Sequence, residues 1–234
     1  MARFLLRKPE NPPSDAPIRV RGSTLASWFY CAEQYRHKAL GMIPEEEEPI
    51  EACEVGTIMH KVLEESMGRR FPWEEEFMQK LQKFQDPELG FVRNFKGTKV
   101  YCDLTGHPDD LQITPSFLVS IVENKSTANP ELWAIERFKL PVAKFQAAIY
   151  SAILEPIFEK LGAICARNNA VTYWNSKTFE RIGWFPVEYY PVQTQTDILR
   201  GINALHDPSL IIRPLEWKCK RCSKEHKKVC QFCQ

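Results

Sequence analysis

Residues 106–125 of this 234-residue chain read GHPDDLQITPSFLVSIVENK, and the fold prediction starts from this stretch. Residues 110–113 alternate polar and apolar side chains, and residues 114–116 (TPS) are a turn signal. Residues 117–122 are almost wholly apolar and rich in branched side chains. The pattern predicts two short strands joined by a tight loop, the second of them well buried.

Charged residues stand at the ends of these two strands. Successive side chains of a strand point to opposite faces, so Glu123 and Lys125 should share a face while Asn124 points away. If the strands pair, Asp109 lies beside Glu123, and two close carboxylates repel unless a cation lies between them. A hard cation such as Mg²⁺ or Mn²⁺ suits these oxygens, with Asp110 as the fallback ligand.

The same residues could hydrolyse a phosphodiester bond, since the ion would polarise phosphate and water and Lys125 could orient or deprotonate the water. The other interpretation is a surface hairpin with a Glu–Lys pair, because such a pattern is common.

Composition narrows the class of protein. The chain is long enough for one domain with a good core, and its 44% hydrophobic and 26% charged residues are ordinary for a globular protein. The net charge of +1 predicts that any affinity for nucleic acid comes from a local patch. Neither a membrane span nor a signal-peptide core is evident, which predicts a cytoplasmic protein with reduced thiols. A phosphate-loop motif is absent, so no helicase motor of that kind is expected.

Two helices are predicted before the central stretch. Ser23 can cap a helix that runs to about residue 40 and carries Cys31 in its middle. A second helix, about residues 55–70, has His60 at the edge of its apolar stripe. Taken alone, such a cysteine or histidine is more often a core residue than a ligand.

Further elements follow from periodicity and turn signals. Residues 73–90 are predicted as a polar helix and loop, and Pro141 starts a helix on which Gln146 and Tyr150 share a face. Pro156 and Gly162 should interrupt or end that helix. The remaining predictions are strands at 99–104, 170–174 and 181–185, and a helix from 196 to about 205.

The C-terminal tail carries a metal signal. Two C-x-x-C units, residues 219–222 and 230–233, lie in a basic segment, and eight cysteines in a reducing compartment favour metal over disulfides. Four tail cysteines could hold zinc, whereas Cys31 with three tail cysteines could hold a [4Fe–4S] cluster. Other cysteines lack partner spacing and are predicted to be buried small residues: Cys53, Cys102 and Cys165.

The order of these motifs resembles a known family. His60, Gly-x-x-Asp at 106–109, Glu-x-Lys at 123–125 and Gln-x-x-x-Tyr at 146–150 resemble the RecB-like branch of the PD-(D/E)xK nuclease superfamily. An early cysteine and a late cysteine cluster bracket them, which is similar to the iron–sulfur members, closest to the CRISPR-associated adaptation exonuclease (the Cas-four family). The resemblance spans roughly residues 23–233.

The resemblance implies an α/β fold with a central mixed β-sheet flanked by helices, a restriction-endonuclease-like core. It divides the chain into a flexible N-terminal arm (1–20), a nuclease domain (21–212) and a Cys-rich tail (213–234). A metal cluster would join the N-terminal helix to the tail.

The resemblance also assigns roles to residues. Lys125 would activate water, Gln146 would hold the active-site water or strand end, and Tyr150 would contact DNA and could stack bases. The Mg²⁺ or Mn²⁺ ligands would be His60, Asp109, Glu123 and the carbonyl of Asn124. The cluster ligands would be Cys31, Cys219, Cys222 and Cys230, with Cys233 as the alternative, because the gap from Cys222 to Cys230 is long for the pattern and Cys233 is an extra cysteine.

The implied function is a metal-dependent DNA exonuclease that prefers single-stranded ends. It would act in CRISPR spacer acquisition beside integrase proteins, or in viral or archaeal DNA processing. Two alternatives stay open: a zinc-containing nucleic-acid-binding protein without an active site, and an accessory subunit that is active only within a larger complex.

Overall fold

The structure, a computed structural model, describes residues 18–29, 31–42, 57–58, 61–62, 70–211, 227–228 and 230. Most of the predicted N-terminal arm and Cys-rich tail therefore lies outside the described residues, and the division into three segments stays a prediction. The described part of the chain is a mixed α/β fold, which confirms the predicted class.

In the part of the chain that the structure describes, eight strands form two sheets. The first sheet has the order β1-β3-β2, with β1 parallel and β2 antiparallel to β3. Its strands are β1 (Ile18–Arg21), β2 (Phe91–Lys96) and β3 (Tyr101–Gly106). The second sheet comprises β4 (Asp110–Ile113), β5 (Leu118–Thr127), β6 (Ile164–Cys165), β7 (Asn168–Asn175) and β8 (Arg181–Glu188). Its order is β4-β5-β7-β8, and β6 also pairs with β5.

The hairpin predicted from residues 106–125 is confirmed. β4 pairs antiparallel with β5 from Asp110 opposite Val122 to Ile113 opposite Val119. The apolar run explains the position of β5, because Val119 and Ile121 have no exposed surface. Beyond the hairpin, β5 continues in parallel register with β7, so its C-terminal half lies inside the sheet.

The single helix predicted from Ser23 to about residue 40 is wrong, because the structure has two helices there. They are α1 (Gly22–Ala26), which a 3₁₀ turn at Ser27–Phe29 follows, and α2 (Ala32–Ala39). Ser27 Oγ donates to the carbonyl oxygen of Thr24 at 2.6 Å, a local bond that competes with helix continuation. Cys31 has extended backbone angles and precedes α2 instead of lying mid-helix.

A long helix, α4 (Leu140–Lys160), is the centre of the core, and α3 (Pro72–Gln82) precedes it in the chain. A turn of α-helix at Leu132–Ala134 and a π-helical turn at Ile135–Lys139 lead into α4. Most of the circumference of α4 is buried, and its large buried side chains include Phe145, Ile149, Ile153 and Phe158.

Pro156 was predicted to interrupt α4, yet the helix continues to Lys160. Proline has no N–H to bond the carbonyl of Ala152, one turn earlier. Arg93 Nη1 on β2 donates to that carbonyl instead. Gly162, at φ +73°, follows the end of the helix as predicted.

Several other boundaries differ from the predictions. The strand at 99–104 is β3, shifted by two residues, and β2 was not predicted at all. Helix α5 (Pro191–His206) starts five residues before the predicted start and ends where predicted. The late hairpin is confirmed as β7 and β8. In the helix predicted at 55–70, residues 57–58 and 61–62 are helical, and His60 lies outside the described residues.

No helix in the described ranges combines the length and the apolar character that a bilayer crossing needs.

Candidate active site

Three charged side chains meet where the β4–β5 hairpin opens. Lys125 Nζ lies 2.8 Å from Glu123 Oε2 and 3.7 Å from Asp109 Oδ2. The backbone N–H of Asp109 also faces Glu123 Oε1, at an N···O distance of 3.3 Å. The sequence predicted this grouping, because alternate residues of β5 share a face and Asp109 immediately precedes β4.

Burial sets the electrostatics of the three groups. Glu123 has no exposed surface, and burial raises its pKa to about 7, with the charge of Asp109 adding to the rise and Lys125 opposing it. Burial alone would lower the pKa of Lys125, but the carboxylates of Glu123 and Asp109 outweigh it and raise that pKa. Lys125 is therefore held as an ammonium between two acids, with about a quarter of its side chain exposed.

Asn124 connects this cluster to the opposite face of the sheet. Its backbone N–H donates to Asp109 Oδ2 at 2.8 Å, so the main chain of β5 orients that carboxylate. Its side-chain oxygen accepts a hydrogen bond from the Thr172 hydroxyl, whose oxygen in turn accepts one from Trp174 Nε1 at 3.0 Å. Thr172 and Trp174 could not be identified from the sequence, because only the parallel pairing of β5 with β7 brings them to Asn124.

Gln146 and Tyr150 share a face of α4 as predicted, and Gln146 Nε2 donates to the Tyr150 hydroxyl oxygen at 3.0 Å. Tyr150 is only 5% exposed, so its ring is not open to a base in this structure, and its predicted contact with DNA stays a prediction. Its ring packs against Gly22 and Gly106, where an added Cβ would overlap the ring. The glycine of the Gly-x-x-Asp motif is thus needed for close approach to Tyr150.

The other predicted site residues are placed only in part. Asp110, the fallback ligand, is a buried residue at the start of β4. Cys31 and Cys230 are both buried, and Cys219, Cys222 and Cys233 lie outside the described residues, as does His60. The described ranges contain no group of three or more His, Cys, Asp or Glu residues placed to hold a metal ion.

Two further cysteines are buried as predicted. Cys102 and Cys165 lie in the core, and burial raises the pKa of each thiol to about 12. Thiolates would be scarce at neutral pH, so both behave as small apolar residues. Cys53 lies outside the described residues.

The oxygen atoms present fit a hard divalent cation. Two carboxyl groups approach one ammonium, so ionisation of both would leave a net negative charge in a site where Glu123 is fully buried. Carboxylate and carbonyl oxygens are the ligands that Mg²⁺ and Mn²⁺ prefer. The cluster therefore has the charge and the donor type that such an ion requires.

Comparisons with known proteins bear on the fold. The chain matches no protein-family model and no curated protein. Among solved structures it is similar to the crystal structure of SSO0001, with a TM-score of 0.54 and 15% identity over 94% of this chain and 89% of that one. A weaker similarity, TM-score 0.38 and 12% identity over 92% of this chain and 87% of that one, links it to a "Putative exonuclease" from Eubacterium rectale. The first similarity shows that this chain and SSO0001 share a fold.

Proposed function

We propose that the protein is a metal-dependent nuclease that hydrolyses phosphodiester bonds in DNA. The observation that carries this proposal is the Asp109–Glu123–Lys125 cluster at the buried end of β5. Replacing a buried ion pair by apolar residues often costs a protein no stability, so such a cluster is weakly explained by stability alone. An excess of negative charge is explained better by a cation that the site is built to take.

The chain's own groups supply most of what hydrolysis needs. Asp109, Glu123 and the backbone carbonyl of Asn124 would hold Mg²⁺ or Mn²⁺, with His60 completing the set, and the ion would act as the Lewis acid that polarises the phosphate. Lys125, held as an ammonium, can orient the attacking water, give a proton to the leaving sugar oxygen and regain the proton that the water loses. The water oxygen bonds to phosphorus, the bond from phosphorus to the leaving sugar oxygen breaks, and that oxygen takes up a proton.

The finer assignment rests on the resemblance to the iron–sulfur RecB-like nucleases. We propose an exonuclease that acts on single-stranded DNA ends in the cytoplasm, either beside CRISPR integrase proteins in spacer acquisition or in viral or archaeal DNA processing. A [4Fe–4S] cluster on Cys31, Cys219, Cys222 and Cys230 would have a structural role. The burial of Cys31 and Cys230, near opposite ends of the chain, is compatible with this set.

The test compares the parent with Lys125→Ala and Glu123→Gln on end-labelled single-stranded DNA with Mn²⁺. We expect both variants to lose cleavage and to remain folded by circular dichroism, with Glu123→Gln keeping the DNA affinity of the parent. Lys160→Ala, an exposed lysine at the end of α4, is the matched control and should cut like the parent.

Circular single-stranded DNA should resist the parent enzyme if the activity needs an end. Undiminished cleavage by Lys125→Ala would remove this cluster from consideration. Binding without any cleavage by the parent would favour a nucleic-acid-binding protein or a subunit that acts only in a larger complex.

A further inference from the structure

An open pocket of about 400 Å³ lies directly beside the catalytic cluster. Lys125 itself is one of its lining residues, as is Gln146 of α4. The apolar part of the lining comes from Phe138, Val142, Ala143 and Tyr173. Its volume is in the range of sites that bind small molecules, roughly 300–1,000 Å³. The pocket is thus continuous with the place where a scissile phosphate would lie.

The charge of the pocket indicates the class of its ligand. Its lining includes two lysines, Lys125 and Lys139, and none of the described residues that line it is acidic. Lys139 Nζ donates to Thr127 Oγ1 at 2.6 Å, so its ammonium is held in place on the side of β5. A ligand with an apolar ring and a negative charge matches this aromatic wall and the ammonium of Lys139, since Glu123 and Asp109 already balance the charge of Lys125.

An unusual turn of backbone carries Phe138 and Lys139 at the wall of the pocket. Phe138 and Lys139 belong to the π-helical turn Ile135–Lys139. Such turns are rare and occur frequently at functional sites. The Phe138 ring is supported from outside the pocket, since Trp133 meets it edge-on with 6.0 Å between centroids and the Arg137 guanidinium lies 5.5 Å from its centroid. A supported aromatic ring beside basic side chains is the arrangement on which single-stranded bases stack.

We propose that this pocket binds one unpaired nucleotide of a DNA strand, adjoining the scissile phosphate. The base stacks on Phe138, and the phosphate is neutralised by Lys139. The position of the nucleotide next to a scissile phosphate rests on the proposed nuclease function, whereas the binding of a nucleotide in the pocket does not. The proposal moves the base-stacking role from Tyr150, which is buried, to Phe138, which lines the pocket.

The proposal also explains a preference for single strands. A base within a duplex must leave its stack and its pair before it can enter a pocket, which costs a few kcal/mol. An unpaired end has no pair to break. The pocket would therefore select frayed or single-stranded ends without any separate recognition of the strand.

The experiment measures binding alone, in EDTA, by fluorescence anisotropy. The probes are an oligothymidylate of about eight nucleotides, two copies lacking the base at one or the other end, and a blunt duplex. We expect the parent to bind the intact strand about tenfold more tightly than one of the end-abasic strands, as loss of one stacked base implies. Phe138→Ala should bind all three single strands equally, and Phe84→Ala, at an exposed aromatic residue that does not line the pocket, should behave like the parent.

Lys139→Gln tests the phosphate contact. It should weaken binding of every single-stranded probe several-fold and reduce the slope of log K against log[salt] by about 0.7, the value for one phosphate in a single strand. Lys160→Gln is its matched control. Phe138→Leu, which keeps an apolar side chain but not the ring, should also lose the preference for the intact strand. It replaces Phe138→Ala as the test of stacking if that variant does not fold.

Three outcomes would overturn the proposal: equal affinity of the parent for all three single strands, an unchanged base preference in Phe138→Leu, or a salt slope that Lys139→Gln does not alter. Absence of cleavage with Mn²⁺ would refute the nuclease function and leave the binding result standing. The two proposals can therefore fail separately.

Discussion

At the scale of single residues, Glu123 is both a buried residue of the second sheet and a member of the charged cluster. It lies on β5, an interior strand of the second sheet, and its carboxylate reaches Lys125 and the backbone of Asp109. Alternation along β5 was enough to predict that Glu123 and Lys125 share a face. The hydrogen bonds that fix Asn124 between them could not be predicted, because Thr172 lies far along the chain.

Thr172→Val should loosen the site from the opposite face of the sheet. The substitution removes the hydroxyl that donates to Asn124, and a buried polar atom without its partner costs about 1–3 kcal/mol. We expect a loss of that size in the free energy of unfolding from urea titration, together with weaker Mn²⁺ binding by calorimetry. Thr172→Ser keeps the hydroxyl and should retain both properties. Equal behaviour of the two variants would exclude this role.

Gly106→Ala should destabilise the protein through Tyr150. A methyl group at position 106 would overlap the tyrosine ring, and overpacking of a core typically costs about 1–3 kcal/mol. Combining it with Tyr150→Leu should recover part of the loss, because the smaller side chain leaves room for the methyl group. Thermal melts of the two single variants and the double variant measure the coupling. Strictly additive losses would contradict the contact.

Helix α4 shows, at the scale of elements, where sequence patterns are informative and where they are not. Its start near Pro141, its apolar stripe and its end before Gly162 follow from local rules. Its continuation through Pro156 does not, because Arg93 on a strand that was not predicted satisfies the carbonyl of Ala152. The break between α1 and α2 was missed for a similar reason, since the extended conformation of Cys31 depends on the surrounding fold.

A double-mutant cycle tests the contact between Arg93 and α4. Arg93→Met removes the donor to the Ala152 carbonyl while keeping an apolar stem, and should cost about 1–3 kcal/mol of unfolding free energy. In a Pro156→Ala background the helix can bond that carbonyl itself, so the same substitution should cost clearly less. Urea titration of the four proteins gives the coupling energy. A cost that is the same in both backgrounds would contradict the proposed compensation.

Helix α2 should make stability depend on pH. Burial lowers the pKa of His37, with Arg36 adding to the effect, and Glu33 Oε1 lies 3.3 Å from its Nε2. The imidazole of His37 therefore binds a proton more readily in the unfolded chain than in the folded one. The free energy of unfolding is at its full value above pH 6.5 and decreases as pH falls below it.

His37→Gln should flatten this dependence between pH 7.5 and about 5.5, as followed by melting temperature. His206→Gln, at the end of α5 and exposed, is the control and should keep the dependence of the parent. A parent whose melting temperature is constant across this range would contradict the expectation.

The whole molecule is held together by contacts between distant parts of the chain, and the predicted metal cluster would add one more. A cluster shared by Cys31 and the tail would close a loop of nearly the full chain, and by analogy with a disulfide would contribute roughly 5 kcal/mol of chain entropy. Anaerobically purified protein should therefore be brown, and Cys31→Ala should be colourless and melt well below the parent.

Cys233→Ala is the control for the cluster and should stay brown, because Cys233 is outside the favoured ligand set. If the Cys31→Ala variant keeps its metal and melts like the parent, Cys31 is a core residue and not a ligand. Zinc on the four tail cysteines would then be the better assignment. Iron and zinc contents from elemental analysis separate the two cases directly.

The pairing of β5 with β7 also orders events during protein synthesis. Lys125 lies opposite Tyr173, and Asn124 lies opposite Thr172. Strand β5 therefore gains its parallel neighbour only after residue 173 has left the ribosome. A nascent chain that already contains Asp109, Glu123 and Lys125 lacks the strand that orients them. The proposed active site would thus form late in translation, and a prematurely terminated product ending before β7 would carry Asp109, Glu123 and Lys125 without the strand that supports them.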